Sequence, residues 1–164
     1  MKETLRRMQK KRAAGDSGFT LVELLVVVVI IGVLVAIAVP MYLNYRKGAA
    51  NKSAESDVRA AVSAVEQFYT ENDNKYPVSG ESAAEKLIFG LTSTSATSTD
   101  TNTQVATLSP GNSMRYKNNG ATYRICGMNS DGGTVYFYDS STGGSVKKLS
   151  SAKTLTDCTG TATP

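Results

Sequence analysis

The 164-residue sequence contains no histidine, no tryptophan and only two cysteines. The absence of histidine removes the commonest general base and metal ligand from consideration. Two cysteines alone cannot fill a four-ligand structural zinc site. The remaining residues offer no evident pairing of a nucleophile with a base and no cluster of metal ligands. The sequence therefore predicts a protein that is not an enzyme and that needs neither a cofactor nor a metal.

Excess positive charge is confined to the N-terminal segment. The net charge is +4, and the residues before Ser17 already account for it with six basic side chains against two acidic ones. A basic segment beside an apolar run indicates membrane orientation, because positive residues are retained on the cytoplasmic side. The neutral remainder argues against a nucleic-acid-binding surface on a folded domain.

Residues 24–43 form an apolar run without a formal charge. As a helix, this run is long enough to cross a hydrocarbon core of about 30 Å. Gly32 and Pro40 interrupt it, and Pro40 removes a backbone donor, so we expect a kink or a locally opened turn between them. A static kink tolerated in a membrane helix is the alternative to a segment that melts in function.

The helical pattern continues beyond the apolar run. Polar residues separate apolar ones over residues 44–72, which indicates an amphipathic helix with one apolar face. Asn72, Asp73 and the Tyr76-Pro77 pair are typical of a helix end. We therefore expect one helix from about Phe19 to about Asn72. Its apolar face consists of Ala54, Val58, Ala61, Val62, Val65, Phe68 and Tyr69.

Residues 73–113 are predicted to connect the helix to the rest of the chain. Apart from a short amphipathic piece at 83–91, the stretch 78–113 has no sustained period, and it includes a Ser/Thr run at 92–103. We expect a solvated loop here. Glycosylation of the Ser/Thr run, or its contact with a partner, is the functional alternative to a simple connection.

The period changes again over residues 114–149, where short alternating segments are separated by turn residues. Four antiparallel strands are expected at 114–118, 122–126, 134–138 and 145–149. Asn119-Gly120 predicts a tight hairpin with positive φ at both central positions. Turns are also expected at 130–133 and 142–144.

The small sheet requires a partner for its apolar face, and the stripe of the long helix can supply one. The expected fold is α+β, with a helical stem and a head of about four strands. The tail at 150–164 is expected to fray unless it is tied down. If the domain lies outside the cytoplasm, Cys126 and Cys158 can form a disulfide that ties it.

The membrane boundary reads DSGFTLVEL over residues 16–24, which closely resembles the class III leader of type IV pilins and type II secretion pseudopilins. The resemblance implies that residues 1–18 are a leader removed by prepilin peptidase after Gly18. Phe19 would then become the N-methylated first residue of the mature chain. The resemblance also implies that residues 19–43 cross the membrane and later drive polymerisation.

In the resembling family, the carboxylate corresponding to Glu23 pairs with the terminal amine of a neighbouring subunit. Such a role is physically reasonable, because a carboxylate in a membrane helix costs up to about 2–3 kcal/mol at the helix centre. The family likeness also implies that the segment around Gly32 and Pro40 loosens on assembly. The alternative for Glu23 is a side chain that reaches water at the interface and has no role.

The family likeness implies a subunit of a type IV pilus-like filament. The precursor would be held in the inner membrane and passed to the cell surface by the inner-membrane platform and the assembly ATPase complex. A major pseudopilin of a secretion or DNA-uptake filament is the second interpretation, and the Tyr76-Pro77 turn resembles that group. Some of these pseudopilins hold calcium, but Asp131 and Asp139 lack the spacing of a calcium loop.

Two interpretations without polymerisation remain open at this stage. The small residues Ala36 and Ala38 fit a signal-peptidase site, which would release an exported protein beginning at Val39. A single-pass anchored protein with a ligand-binding head would instead keep Met1.

Overall fold

A computed structural model describes residues 18–82, 85–91, 103–150 and 154–160. Most of the expected leader, nearly all of the Ser/Thr run and parts of the C-terminal tail lie outside the described residues. The chain divides into two compact units, one up to Tyr42 and one from Leu43 onward. Helix α1 (Leu21–Glu71) begins in the first unit and ends in the second.

Helix α1 ends where the sequence predicts. Glu71 is its last residue, and Asp73 and Asn74 follow with φ of 52° and 59°. Asp and Asn accept this left-handed conformation more readily than most residues. The Asn74 amide donates to the Tyr69 carbonyl at 3.1 Å, and the Asn72 side chain donates to the Phe68 carbonyl at 2.9 Å. These bonds satisfy carbonyls that the helix end leaves without intrahelical partners.

The second unit contains two antiparallel sheets. One has five strands in the order β1-β4-β5-β6-β7, and the other is formed by β2 and β3. The predicted four-stranded meander is confirmed as β4 to β7, with β1 added beside β4. The strands are β1 (Gly80–Glu81), β2 (Lys86–Phe89), β3 (Gln104–Thr107), β4 (Asn112–Asn118), β5 (Tyr123–Asn129), β6 (Val135–Asp139) and β7 (Lys147–Leu149).

The hairpin between β4 and β5 differs from the predicted tight turn. Asn118 pairs with Tyr123, so four residues form the loop, and the Asn119 amide donates to the Thr122 carbonyl at 2.8 Å. Only Gly120 within this loop has a positive φ, at 87°. The Asn118 side chain accepts the Gly120 amide at 2.6 Å. This side-chain bond supports a wider turn than the Asn-Gly pair alone predicts.

The expected loop at 78–113 also differs from the structure, because three short strands lie within it. Strands β2 and β3 pair from Lys86 with Thr107 to Phe89 with Gln104. Leu87, Phe89 and Ala106 from this hairpin are buried in the core. The four-residue strands were too short, and the Ser/Thr run between them too polar, for a strand period to be evident in the sequence.

Helix α1 packs on one face of the five-stranded sheet, as the sequence predicts. The buried helix residues Val58, Ala61, Val65 and Phe68 meet residues of the sheet and of the β2–β3 hairpin. The sheet and hairpin contribute Leu87, Phe89, Ala106, Leu108, Met114, Tyr116, Tyr123 and Ile125 to this core.

The opposite face of the sheet is covered as well, which the sequence analysis did not anticipate. A short helix, α2 (Leu155–Gly160), forms in the tail, which the sequence predicted to be tied down by the disulfide but not to be helical. Leu155 and Cys158 of α2 pack with Cys126, Val135 and Phe137 of the sheet in a second, smaller core. The sheet therefore lies between two helices of very different length.

Candidate functional site

The start of helix α1 is closed by a reciprocal pair of side chains. The Glu23 carboxylate accepts the Thr20 amide at 2.9 Å and the Thr20 hydroxyl at 2.7 Å. The Thr20 hydroxyl oxygen in turn accepts the Glu23 amide at 3.2 Å. This arrangement is a capping box, which satisfies two backbone donors that the first helical turn leaves unpaired. This role was not predicted from the sequence, although the Thr-x-x-Glu spacing is its signature.

The helix that follows is exposed within the part of the chain that the structure describes. Every residue from Gly18 to Ala49 is exposed, and Phe19 has 80% of its surface accessible. Glu23 is the single formally charged residue between Gly18 and Tyr45. Among the described residues, one helix is long and apolar enough to cross a membrane, and it is α1.

Gly32 and Pro40 lie inside a continuous helix. Helix α1 passes through both positions without an interruption, so the predicted opened turn is absent from this structure. A single missing donor at Pro40 does not end the helix. The role of this segment in assembly stays a prediction.

The helix end and the turn that follows are joined by stacked tyrosines. The rings of Tyr69 and Tyr76 stack with centroids 4.4 Å apart, and Tyr76 also meets Tyr123 at 5.0 Å. The Tyr123 hydroxyl donates to Glu66 on the helix at 2.6 Å. Burial, together with this bond to Glu66, raises the pKa of Tyr123. The Tyr76-Pro77 turn is therefore held against both the helix and β5.

A buried polar network joins the helix to the turns of the sheet. Asp57 accepts hydrogen bonds from the Ser109 amide and the Asn112 side chain, both at 2.6 Å. Asn112 accepts in turn from the Asn129 side chain at 2.6 Å. Since buried polar groups are costly unless paired, this network specifies the register of helix on sheet. Nothing in the sequence indicated this network, apart from the polar residue Asp57 beside the apolar Val58.

The second face of the sheet carries the two cysteines. Cys126 and Cys158 form a disulfide in the structure, and it ties α2 to β5 across a sequence separation of 32. The Arg124 guanidinium donates to the Cys158 carbonyl at 3.2 Å, and the Lys117 ammonium donates to the Thr159 carbonyl at 3.0 Å. Two cations thus meet carbonyls near the end of α2, where helix ends attract positive charge.

Asp139 is buried beside these groups. Burial alone would raise the pKa of its carboxyl, but hydrogen bonds from Ser141 and Arg124 and the charge of Arg124 outweigh it, so the pKa is lowered. The Arg124 guanidinium lies 2.5 Å from the Asp139 carboxylate, and both side chains are almost fully buried. Asp139 therefore belongs to the ion pair that fixes β5, β6 and α2 together.

The other aspartate considered for calcium is also in an ion pair. Asp131, in the turn between β5 and β6, lies 2.7 Å from the Arg46 guanidinium on α1. Both side chains are more than half exposed. Within the part of the chain that the structure describes, no group of three acidic, cysteine or histidine side chains is arranged to hold a metal.

The start of helix α1 lies in a segment that matches a known protein family. Residues 14–39 match the model of the prokaryotic N-terminal methylation motif. This range contains Gly18, Phe19 and the Thr20–Glu23 capping box. The chain carries the N-terminal motif of the type IV pilin and pseudopilin family.

The relatives that this chain resembles include both type IV pilins and type II secretion proteins. It is 42% identical over 85 residues to a type IV major alpha-pilin of Moraxella bovis, covering 51% of this chain and 52% of the relative. It is 40% identical over 70 residues to a type II secretion system core protein G of Aeromonas hydrophila, covering 43% of this chain and 46% of the relative. The chain spans about half the length of these relatives. No solved structure matches it significantly.

Proposed function

We propose that the chain is a structural, non-enzymatic subunit of a type IV pilus-like filament. The observation that carries the proposal is the exposed apolar helix of the first unit, which begins at the Thr20–Glu23 capping box. An unpartnered apolar helix of this length needs lipid or other helices around it. The second unit has a core of its own, formed by residues beyond Leu43.

In this proposal, prepilin peptidase cleaves between Gly18 and Phe19, and Phe19 is then N-methylated. Cleavage places a cationic amine next to Thr20, within one helical turn of Glu23. A carboxylate taken out of water favours an opposite charge. An incoming subunit is therefore stabilised when its Glu23 meets the amine of a neighbour, and this pairing sets its register along the bundle.

The first test is the identity of the mature N-terminus. The protein is purified from its native membrane or from sheared filaments, with and without the host's prepilin peptidase, and its intact mass is measured. A chain beginning at N-methylated Phe19, present only with the peptidase, supports the proposal. A chain beginning at Val39 would identify an exported protein, and retention of Met1 would identify an anchored one.

The second test separates the charge of Glu23 from its capping role. Gln at this position completes a capping box as Glu does, whereas Ala cannot. If the charge is needed, Glu23→Gln and Glu23→Ala both insert into the membrane but fail to enter filaments. If only the cap matters, Glu23→Gln assembles like the natural chain, and charge pairing is excluded. Filament yield after shearing, relative to membrane-bound subunit, is the measurement.

The pseudopilin role is the second candidate, and the similarity to a type II secretion core protein supports it. Loss of the chain would then reduce export of folded proteins to the medium. In the pilus role, the same loss removes surface filaments that are visible by electron microscopy and leaves export unchanged. The platform and ATPase partners are expected in either case.

A further inference from the structure

The outer face of the sheet carries a groove in which several polar side chains lie on a largely apolar lining. The groove lies between strands β1 and β4 on one side and helix α2 on the other, and its volume is about 490 Å³. This volume lies within the range of small-molecule sites, roughly 300–1,000 Å³. The side chains that concern binding are those of Ser79, Glu81, Arg115, Lys117, Thr156 and Thr159.

Hydrogen-bond donors predominate along this groove. Arg115 and Lys117 occupy alternate positions of β4, so both point to the same face of the sheet. The Arg115 guanidinium donates to the Thr156 hydroxyl at 3.2 Å and is paired with Glu81. The hydroxyls of Ser79 and Thr156 add two further donors. Glu81 supplies the one carboxylate among the lining residues.

The Lys117 ammonium has N–H groups that are available to bind a ligand. Its ammonium makes one described hydrogen bond, to the Thr159 carbonyl, and has three N–H groups in all. No carboxylate in the described ranges lies within ion-pair distance of it. Lys117 also stands directly opposite Arg124 in the register of β4 and β5. Arg124 is already paired with Asp139, so Lys117 is the cation of these two that has no described carboxylate partner.

We propose that this groove binds a small ligand through a phosphate group, which lies between Lys117 and Arg115 and accepts from the Ser79 and Thr156 hydroxyls. A tetrahedral oxyanion suits donors that converge from two strands and a helix, whereas a planar carboxylate can use fewer of them. Binding at this site does not depend on polymerisation. The phosphate can belong to a soluble ester or to a lipid headgroup.

The test uses the full chain in a nonionic detergent, titrated with glycerol 3-phosphate and followed by calorimetry and by side-chain NMR of the lysines. Lys117→Gln removes the least compensated cation. Glu81→Gln removes the carboxylate that competes with the ligand and keeps the size of the side chain. Lys75→Gln is the matched control, because Lys75 is an exposed lysine outside the groove.

We expect Lys117→Gln to weaken binding by about fivefold or more, since charge-assisted bonds are among the stronger hydrogen bonds. Glu81→Gln should tighten binding by about threefold, because a repelling charge is removed. Lys75→Gln should leave it unchanged. Equal effects of the two lysine variants, no tightening in Glu81→Gln, or no saturable binding would each overturn the site.

Two further arms identify the ligand. Acetate that binds as tightly as glycerol 3-phosphate would overturn the assignment to phosphate. In nanodiscs containing phosphatidylglycerol, Lys117 signals that shift without added ligand would assign the phosphate to a lipid headgroup. Signals that shift only on addition of the soluble ester would assign it to a free phosphate ester.

Discussion

Gly127 lies where helix α1 packs closely against the sheet. A Cβ added there would lie 2.5 Å from a methyl group of Val58 and 3.6 Å from the end of Met114. Val58 is β-branched and fully buried, so its methyl group has little freedom to move. The absence of a side chain at Gly127 therefore sets the distance between the two main elements of the second unit.

Gly127→Ala should lower the free energy of unfolding by about 1–3 kcal/mol, because it overpacks this contact. The control is Gly48→Ala on the exposed part of α1, where an added Cβ meets nothing within 4 Å. That change should instead stabilise the helix by about 0.5–1 kcal/mol. Denaturant titration of the full chain in detergent measures both, and effects of the same sign would contradict the packing argument.

Asp139 makes the stability of the fold depend on pH in the acid range. Because the pKa of its carboxyl is lowered in the folded chain, its stabilisation is present above about pH 4 and is lost as the pH falls through the lowered value. Asp139→Asn should therefore lower stability at pH 7 by about 3 kcal/mol, since it removes the buried carboxylate that compensates the charge of Arg124. It should also lose less stability than the natural chain between pH 4 and pH 2.

Asp73→Asn is the control for this pH profile, because Asp73 is exposed and Asn tolerates the same backbone conformation. Its acid unfolding should follow that of the natural chain. Parallel acid profiles for Asp139→Asn and the natural chain would show that the ion pair with Arg124 is not the source of the dependence.

At the scale of elements, helix α2 is the part whose position depends on the disulfide. Six residues form it, and an isolated helix of that length is not stable in water. The disulfide, the contacts of Leu155 and the two cations at its carbonyls hold it on the sheet. Without the bond, Phe137 and Val135 would lose much of their cover.

Replacing both cysteines with serine should lower the free energy of unfolding by about 3 kcal/mol, as expected for closure of a loop of this length. A reducing agent should shift the denaturation midpoint of the natural chain by a similar amount. It should have no effect on the double variant, which is the internal control. A double variant as stable as the natural chain would show that the side-chain contacts alone hold α2.

Elements differed in how far the sequence could predict them. The end of α1, the meander of β4 to β7 and the packing of helix on sheet follow from periodic segments and turn residues, and they were predicted correctly. The strands β2 and β3 and the helix α2 were not, because each is too short for a period and owes its place to contacts distant in sequence. The buried network of Asp57 was missed for the same reason, since its partners lie more than fifty residues away.

At the scale of the whole molecule, the division into two units predicts that the second can fold alone. All residues of both cores lie beyond Leu43. A chain truncated before Leu43 should be monomeric, should form the disulfide and should unfold cooperatively in aqueous buffer. Sedimentation, thiol quantification and thermal unfolding test this together. Aggregation of the truncated chain, while the full chain is folded in detergent, would show that the first unit is needed for folding.

The position of the two cysteines also makes the disulfide a marker of export. Strand β5 carries Cys126, but its partner follows 32 residues later. If the chain crosses the membrane during synthesis, a partly exported chain presents a single thiol to the oxidising compartment. The bond closes only when helix α2 has emerged and reached the sheet. In the proposed filament role, an oxidised subunit has therefore been translated and delivered at least as far as Cys158, which gives quality control a chemical signal of export.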